Sequence, residues 1–336
     1  MKSMIARAPL SYFTVISFIL FVCGCSKKPT PIVITTVPLK TVSVSTIAGG
    51  SKGYYDGVGA SARFDSPNSV AVDAMGNLYV VDYNNKAVRK IDGSGVVTTL
   101  YRGINNLYQA TIDQSGNLYV LEGPGILYKF GHDGTSSFYG PFQTSLPVAI
   151  ASDGAGNVYE ATFALNDYYI KKISTGGSNT VYAGTGSPGH TDGPLLSATV
   201  APNYLAIDQS GNLYILEAND QGDLIRKITP ANVVTMSINA SHVLFQSPSN
   251  IYQGGEMAID SKGNLYIADF LGNVIKKVTP DGVVSVLAGS GINGHIDGNG
   301  STAQFSNPTG ITIDAAGNLY VTEAGTNNDV RKILIE

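Results

Sequence analysis

The stretch PTGITIDAAGNLYVTEAGTNNDVRKI, residues 308–333, decides the fold, because its central motif recurs along the chain. The motif is Asp-x-x-Gly-Asn-(Leu/Val)-Tyr. Its six copies are spaced 40 to 55 residues apart and begin at Asp73, Asp113, Asp153, Asp208, Asp260 and Asp314. A repeat of that length is typical of propeller blades and solenoids. The chain is therefore built from six copies of one unit.

Each unit predicts four short antiparallel strands. The Asp side chain starts a tight turn by accepting hydrogen bonds from nearby amides, and Gly takes the positive-φ position that ends the turn. Apolar strands flank the turn, and a third strand carries a basic pair between apolar residues, as in Val330-Arg331-Lys332-Ile333. A fourth strand reads GVVSVL at residues 282–287. Four such strands make a propeller blade.

The two ends of the repeat region complete each other. The last copy stops after its third strand, at Glu336, while VSTIAG at residues 44–49 matches the fourth-strand sequence VSVLAG at residues 284–289. We therefore expect the N-terminal strand to complete the sixth blade and close the ring, which removes an exposed sheet edge. The fold predicted for residues 41–336 is an all-β, six-bladed β-propeller with four antiparallel strands per blade.

This pattern resembles a known repeat. The order Pro-x-Gly-Ile-x-x-Asp-x-x-Gly-Asn-Leu-Tyr-Val-x-(Asp/Glu), ending in Arg-Lys-Ile, is similar to the NHL repeat, and residues 308–333 fit it almost throughout. The resemblance implies a six-bladed propeller related in shape to gluconolactonase-type enzymes and to the amidating lyase. It says less about activity, because function on such a scaffold lies in the loops.

The N-terminal segment has the pattern of an export signal. Lys2 and Arg7 precede an apolar run that ends in Val22-Cys23-Gly24-Cys25, which resembles the lipobox of bacterial lipoproteins. We expect a signal peptide over residues 1–24, lipidation of Cys25, and a proline-containing tether over residues 25–40. The expected location is the cell envelope, on the periplasmic side or the cell surface. An ordinary secretory signal is the alternative.

The charge composition and the loop sequences limit the classes of partner that we expect. Charged residues make up 14% of the 336, and the formal net charge is −4, which opposes a nucleic-acid-binding surface. Glycine-rich loops at residues 184–189 and 289–294 lead into His-x-Asp-Gly rather than into a helix, so a dinucleotide site is not expected. The expected partners are a glycan, a peptide or a protein, with membrane association through the lipid and no nucleic acid.

A second pattern pairs acids with bases. The second strand ends in an acid in five repeats, and the third strand carries the basic pair, which suggests cross-strand ion pairing within each blade. The third repeat is the exception, with Thr162 in place of the acid. The acids are Asp82, Glu122, Glu217, Asp269 and Glu323.

The candidate site lies at the mouth of the central tunnel, where the first strand of each blade begins. Alignment on the turn Asp gives residues there that differ between blades, as a ligand site requires. The predicted ligand-binding residues are Asn68, Gln109, Asn203, Tyr204 and Glu256 at the mouth, with Tyr83, Tyr168 and Phe270 in the neighbouring loops. Aromatic rings beside amide side chains suit sugar or peptide contact.

The sequence is compatible with two activities. The first is a binding or interaction module without a cofactor, and no catalytic residue is assigned. The alternative, drawn from the gluconolactonase resemblance, is a divalent-metal-dependent hydrolase or lactonase, or a lyase, with Glu256, Asn203 and Asn68 as oxygen ligands for calcium or another divalent cation. Only one carboxylate stands at the mouth, and the chain's four His show no three-His zinc spacing.

Overall fold

The computed structural model describes residues 41–133, 135–139, 147–162, 167–219, 222–239 and 255–336. The expected signal peptide, Cys25 and the tether lie outside the described residues. In the described part of the chain, no helix is long and apolar enough to cross a bilayer.

The described residues form six antiparallel sheets, which follow one another along the chain as propeller blades. The chain begins with β1 (Val42–Gly49), which belongs to the last blade. The first blade contains β2 (Gly57–Val58), β3 (Pro67–Val72), β4 (Leu78–Asp82), β5 (Ala87–Ile91) and β6 (Val96–Arg102), with a 3-10 turn at Gly59–Ser61. The second contains β7 (Leu107–Ile112), β8 (Leu118–Glu122), β9 (Ile126–Phe130) and β10 (Ser136–Phe138).

The remaining blades repeat this arrangement. The third contains β11 (Pro147–Ser152), β12 (Val158–Thr162), β13 (Tyr168–Ile173) and β14 (Asn179–Gly186). The fourth contains β15 (Gly193–Pro194), β16 (Pro202–Ile207), β17 (Leu213–Asn219), β18 (Gly222–Ile228) and β19 (Val233–Asn239). The fifth contains β20 (Met257–Ile259), β21 (Leu265–Asp269), β22 (Val274–Val278) and β23 (Val284–Ala288). The sixth contains β24 (Gly298–Asn299), β25 (Pro308–Ile313), β26 (Leu319–Glu323) and β27 (Asp329–Ile335), completed by β1.

The predicted ring closure is confirmed. Strand β1 pairs antiparallel with β27 from Val42–Ile335 to Gly49–Asp329. Gly49 adopts a φ of +92°, and a Cβ there would lie 2.6 Å from the Asn328 carbonyl oxygen. The seam between the two ends of the repeat region therefore requires glycine at this position.

Three blades contain a fifth strand that the sequence did not predict. Strands β2, β15 and β24 are two residues long and pair with the outer strand of their blade. Each follows an aspartate of the inter-blade loop, and that aspartate is held by a buried arginine: Asp56 by Arg89, Asp192 by Arg226 and Asp297 by Arg331. Because the loop is pinned beside the outer strand, its next residues join the sheet.

The repeated motif is a turn and packing element, as expected. In the first blade Asp73 Oδ1 accepts from the Asn77 N–H at 2.8 Å, and Oδ2 accepts from the Tyr79 hydroxyl at 3.2 Å. Gly76 ends the turn at a φ of +83°. Lys90 lies 5.9 Å from the centre of the Tyr79 ring, a cation–π distance. Equivalent turns in the other blades carry the same Asp–Asn hydrogen bonds.

Apolar side chains pack between neighbouring blades. One cluster joins the third and fourth blades through Ala149, Ala161, Leu205 and Ile215. Another joins the fifth and sixth blades through Ala268, Ile275, Phe305 and Val321. These buried faces are contributed by alternate residues of each strand, and they hold the inner strands in place around the tunnel.

Candidate functional site

A cavity of about 590 Å³ opens where the first strands begin, and residues from all six blades line it. That volume lies within the usual range of small-molecule sites. Most of the lining is polar amide and aromatic or proline side chains. The lining residues are Asn68, Lys86, Asn105, Asn106, Tyr108, Gln109, Leu121, Gly123, Pro124, Gly125, Pro147, Val148, Asn203, Tyr204, Glu256, Phe270 and Thr309.

A backbone irregularity in the inner strands aims these side chains into the cavity. In the first, second, third and fourth blades the register shifts by one residue at Asn68, Tyr108, Val148 and Asn203. In the sixth blade the shift falls between Pro308 and Ile311. A bulge of this kind re-aims side chains next to a binding site. Two consecutive residues, such as Tyr108 and Gln109, can therefore both line the cavity.

Six of the eight predicted site residues meet in this cavity: Asn68, Gln109, Asn203, Tyr204, Glu256 and Phe270. The other two do not line it. Tyr83 packs edge-on against Tyr108, with ring centres 5.8 Å apart, and so supports a lining residue from behind. Tyr168 is the first residue of β13.

Gln109 and Glu256 also line a second cavity, of about 470 Å³, which is formed mainly by the lower halves of the inner strands. These two side chains are therefore shared by both halves of the tunnel. Gln109 is held there because its Oε1 accepts from the Ile150 N–H at 2.6 Å. The two residues therefore lie where the two cavities adjoin.

Among the described residues that line the mouth cavity, Glu256 is the only carboxylate. Burial raises its pKa to about 8, although the nearby Ser69 hydroxyl, the Gln109 amide and the N–H groups of Ile311 and Val70 oppose the rise. The Ile311 N–H donates to Oε2 at 3.2 Å, and no donor of the described residues is aligned with Oε1. Burial beside Glu256 also raises the pKa of Tyr204. The carboxyl group is thus largely protonated at neutral pH.

Amide side chains dominate the rest of the wall. Asn68 donates through Nδ2 to the Tyr108 carbonyl oxygen at 2.9 Å, whereas its Oδ1 is buried with no partner in the described structure. Asn203 is 7% exposed. Tyr108 is 43% exposed, and an exposed tyrosine can offer its ring for stacking.

Sequence reasoning missed Lys86, Asn105 and Asn106, which line the mouth from the loops. Lys86 adopts a φ of +52° in the turn between β4 and β5. Asn273 and Asn328 adopt the same backbone conformation in the fifth and sixth blades. Asparagine tolerates this conformation better than lysine does, so the lysine stands out once the turns are aligned. Its Nζ donates to the Ile104 carbonyl oxygen at 3.0 Å.

The residues expected to hold a divalent cation line one cavity. They are Asn68, Asn203 and Glu256, and hard cations are bound mainly by several carboxylates. Among the described lining residues only Glu256 is a carboxylate. The described donor set is therefore poor in the charged oxygen ligands that a hard cation prefers.

Comparison with known proteins agrees with the architecture. Residues 64–91 match the family model of the NHL repeat. The chain is thus a six-bladed β-propeller with an NHL repeat at residues 64–91. The protein SUPPRESSOR OF QUENCHING 1 of Arabidopsis thaliana is 27% identical over 306 residues, which are 84% of this chain. The match spans only 26% of the length of that relative.

Solved structures show the same fold. An auxiliary nutrient binding protein from Bacteroides thetaiotaomicron aligns with a TM-score of 0.68 at 16% identity, over 89% of this chain and 78% of its own. A gluconolactonase from Xanthomonas campestris aligns with a TM-score of 0.57 at 13% identity, over 90% of this chain and 99% of its own. At these identities the likeness concerns the fold, and it leaves the ligand of this propeller to be argued from its own residues.

Proposed function

We propose that this NHL propeller is a binding protein of the cell envelope whose mouth cavity takes a neutral, hydroxyl-rich ligand, namely a glycan. The observation that carries the proposal is the cavity wall. Five carboxamide side chains, from Asn68, Asn105, Asn106, Gln109 and Asn203, line one cavity together with the exposed Tyr108 ring. Carboxamides both donate and accept hydrogen bonds, which matches sugar hydroxyls, and an aromatic face packs on the apolar side of a sugar ring.

The charge of the cavity supports a neutral ligand. The Glu256 carboxyl is mainly protonated at pH 7 because burial raises its pKa to about 8. In that form it can donate one hydrogen bond. Lys86 is the only cation among the lining residues that the structure describes, and its ammonium is already hydrogen-bonded to the Ile104 carbonyl oxygen. Neither an anion nor a cation would find a matching set of charges.

A structural neighbour supports a binding role in general terms, because a propeller of this shape from Bacteroides thetaiotaomicron is described as an auxiliary nutrient binding protein. The lactonase alternative has the gluconolactonase neighbour in its favour. Within the described part of the mouth, it lacks a second acid for general-base work. We therefore prefer binding without turnover.

The binding test uses the purified chain on a glycan array, followed by calorimetric titration of the best hit. We expect Asn203→Ala to weaken binding by about 5- to 150-fold, because losing a buried hydrogen bond to a ligand costs about 1–3 kcal/mol. Asn232→Gly is the matched control, since Asn232 is an exposed asparagine in the turn between β18 and β19. A folded protein that binds no glycan, or an Asn203→Ala variant that binds as wild type does, would overturn the proposal.

We also propose that Cys25 carries the lipid that holds the propeller at the membrane. Two or more acyl chains give stable anchoring, whereas one gives marginal, reversible binding. Cys25→Ala should therefore move the protein from the membrane pellet to the soluble fraction. Cys23→Ala is the control and should still pellet. Equal pelleting of both variants would contradict the anchor and leave the glycan site untouched.

A further inference from the structure

The sixth blade holds a cluster of ligand-type side chains away from the mouth cavity. His295, Glu323 and Asp329 each offer one ligand atom, and these three atoms lie within 4.8 Å of one another. Glu323 and Asp329 are fully buried, while the His295 side chain is 37% exposed. The cluster therefore has one side open to solvent. No spacing in the sequence predicts this cluster, because its three residues come from a loop and two strands.

The cluster is built on a clamp that two other blades share. In the first blade Arg89 pairs with Asp82 at 2.9 Å, and in the fourth Arg226 pairs with Glu217 at 3.4 Å. In the sixth blade Arg331 pairs with Glu323 at 3.1 Å. Each arginine also binds an aspartate of the inter-blade loop and two backbone carbonyl oxygens.

The sixth blade adds a second buried acid to this clamp. Asp329 lies directly opposite Glu323 in the β26–β27 ladder. The residue at that ladder position is apolar or aromatic in the other five blades: Ala87, Ile126, Tyr169, Leu224 and Val274. Two carboxylates facing each other without water are strongly unfavourable unless something positive lies between them.

The hydrogen-bond partners of these acids differ from those in the other clamps. Both oxygens of Asp82 accept hydrogen bonds, from the Asp65 N–H at 2.7 Å and from Arg89 and Asn85. Both oxygens of Glu217 are also partnered, Oε2 by His190 at 2.7 Å. In the sixth blade Glu323 Oε2 and Asp329 Oδ1 have no donor in the described structure. Asp329 Oδ2 has the His295 Nδ1 atom 2.9 Å away.

The charges are also unbalanced. Glu323, Asp329 and Asp297 surround a single guanidinium, that of Arg331. The ionised group is left with two negative charges, whereas the equivalent groups around Arg89 and Arg226 have one. A bound dication would make the group neutral.

We propose that His295, Glu323 and Asp329 form a binding site for a divalent transition metal ion, with Zn²⁺ as the best match. One imidazole and two carboxylates are a ligand set for zinc, whereas calcium prefers oxygen ligands alone. The exposed side of His295 leaves a fourth position for water. The ion would tie the inter-blade loop of His295 to strands β26 and β27, beside the seam where β27 meets β1.

The test titrates the full chain, stripped with chelator, with Zn²⁺ in a calorimeter and with Co²⁺ in a spectrophotometer. We expect one equivalent of metal, a visible Co²⁺ band of four-coordinate intensity, and a higher melting temperature with Zn²⁺. Asp329→Asn and His295→Ala should each weaken Zn²⁺ binding at least tenfold. Asp329→Asn keeps the size of the side chain, and His295 is partly exposed, so both variants should fold.

His190→Ala is the matched control, because His190 pairs with Glu217 in the fourth blade but faces no second acid. This variant should bind Zn²⁺ as wild type does. No stoichiometric binding, or binding unchanged in Asp329→Asn, would overturn the proposal. The two carboxyl groups would then share a proton in place of a metal ion.

Discussion

In the third blade the acidic residue of the second strand is Glu160, which lies at a different position from the acids of the other blades. Thr162 ends β12 where other blades have an acid, and Glu160 supplies the carboxylate two residues earlier on the same face of the strand. It lies directly opposite Lys171 in the β12–β13 ladder. Both of its oxygens are buried without a hydrogen-bond partner in the described structure. Burial raises the pKa of Glu160 to about 7, against the opposing effect of Lys171.

This shift predicts a pH dependence of stability. The pKa of Glu160 is higher in the folded state than in the unfolded state, so the folded state binds the proton more tightly. Ionisation of Glu160 therefore lowers the free energy of unfolding as the pH rises from 4.5 through 7. Glu160→Gln should raise the free energy of unfolding at pH 8 by up to about 3 kcal/mol and have little effect below pH 5.

Urea denaturation of both proteins between pH 5 and 9 measures this difference. Asp281→Asn is the control, because hydrogen bonds from Thr279 hold the pKa of the exposed Asp281 below its usual range. Its effect should not vary over that pH interval. A Glu160→Gln curve parallel to wild type would show that Lys171 keeps the carboxylate ionised.

The site was predictable in part, for a physical reason. The turn Asp fixes the register of each blade, so counting back from it finds the inner-strand positions that supplied Asn68, Gln109, Asn203 and Glu256. The bulges that bring consecutive residues into the cavity depend on pairing with the next strand. Lys86 comes from a turn whose length is not constant, since this turn covers residues 83–86 in the first blade, 123–125 in the second and 324–328 in the sixth. Neither effect can be found from a single repeat pattern.

At the scale of strands and loops, the buried arginines join elements that are far apart in sequence. Arg89 on β5 binds Asp82 on β4, Asp56 in the inter-blade loop, and the carbonyl oxygens of Tyr55 and Arg63. It is fully buried against the Phe64 ring, 5.1 Å from its centre. These arginines therefore fix the glycine-rich inter-blade loops against the blades.

Arg89→Met should lower the free energy of unfolding by about 3–5 kcal/mol, because it leaves Asp82 buried and unpaired. Adding Asp82→Leu to Arg89→Met should recover part of the loss, since the double variant contains no buried unpaired charge and Asp56, the other acid that Arg89 binds, is half-exposed. Guanidinium denaturation measures both. Lys90→Met, the neighbouring base on the other face of β5, should cost less than about 1 kcal/mol. Equal losses in Arg89→Met and Lys90→Met would contradict the clamp.

At the scale of the whole molecule, the fold was the most predictable feature, because six copies of one motif specify six blades and the unmatched ends specify closure. The short fifth strands were not predictable. They depend on loops whose aspartates reach an arginine about 34 residues later, as from Asp56 to Arg89. Local strand patterns do not report contacts at that separation.

The seam between β1 and β27 can be tested with two adjacent glycines. Gly49 and Gly50 both have positive φ, but only Gly49 approaches β27, whereas a Cβ on Gly50 would meet nothing within 4 Å. Both alanine variants pay the backbone strain. Gly49→Ala should therefore be about 1–3 kcal/mol less stable than Gly50→Ala in thermal unfolding. Equal melting temperatures would show that the seam tolerates a side chain.

Strand β1 precedes the first blade in sequence, whereas its partner β27 belongs to the sixth. Their pairing therefore brings the first blade next to the sixth, and it can form only when the blades between them are in place. If either strand detaches, the other is left with unpaired backbone groups at an open sheet edge. The ring can therefore open at this seam without breaking a strand pairing inside any other blade.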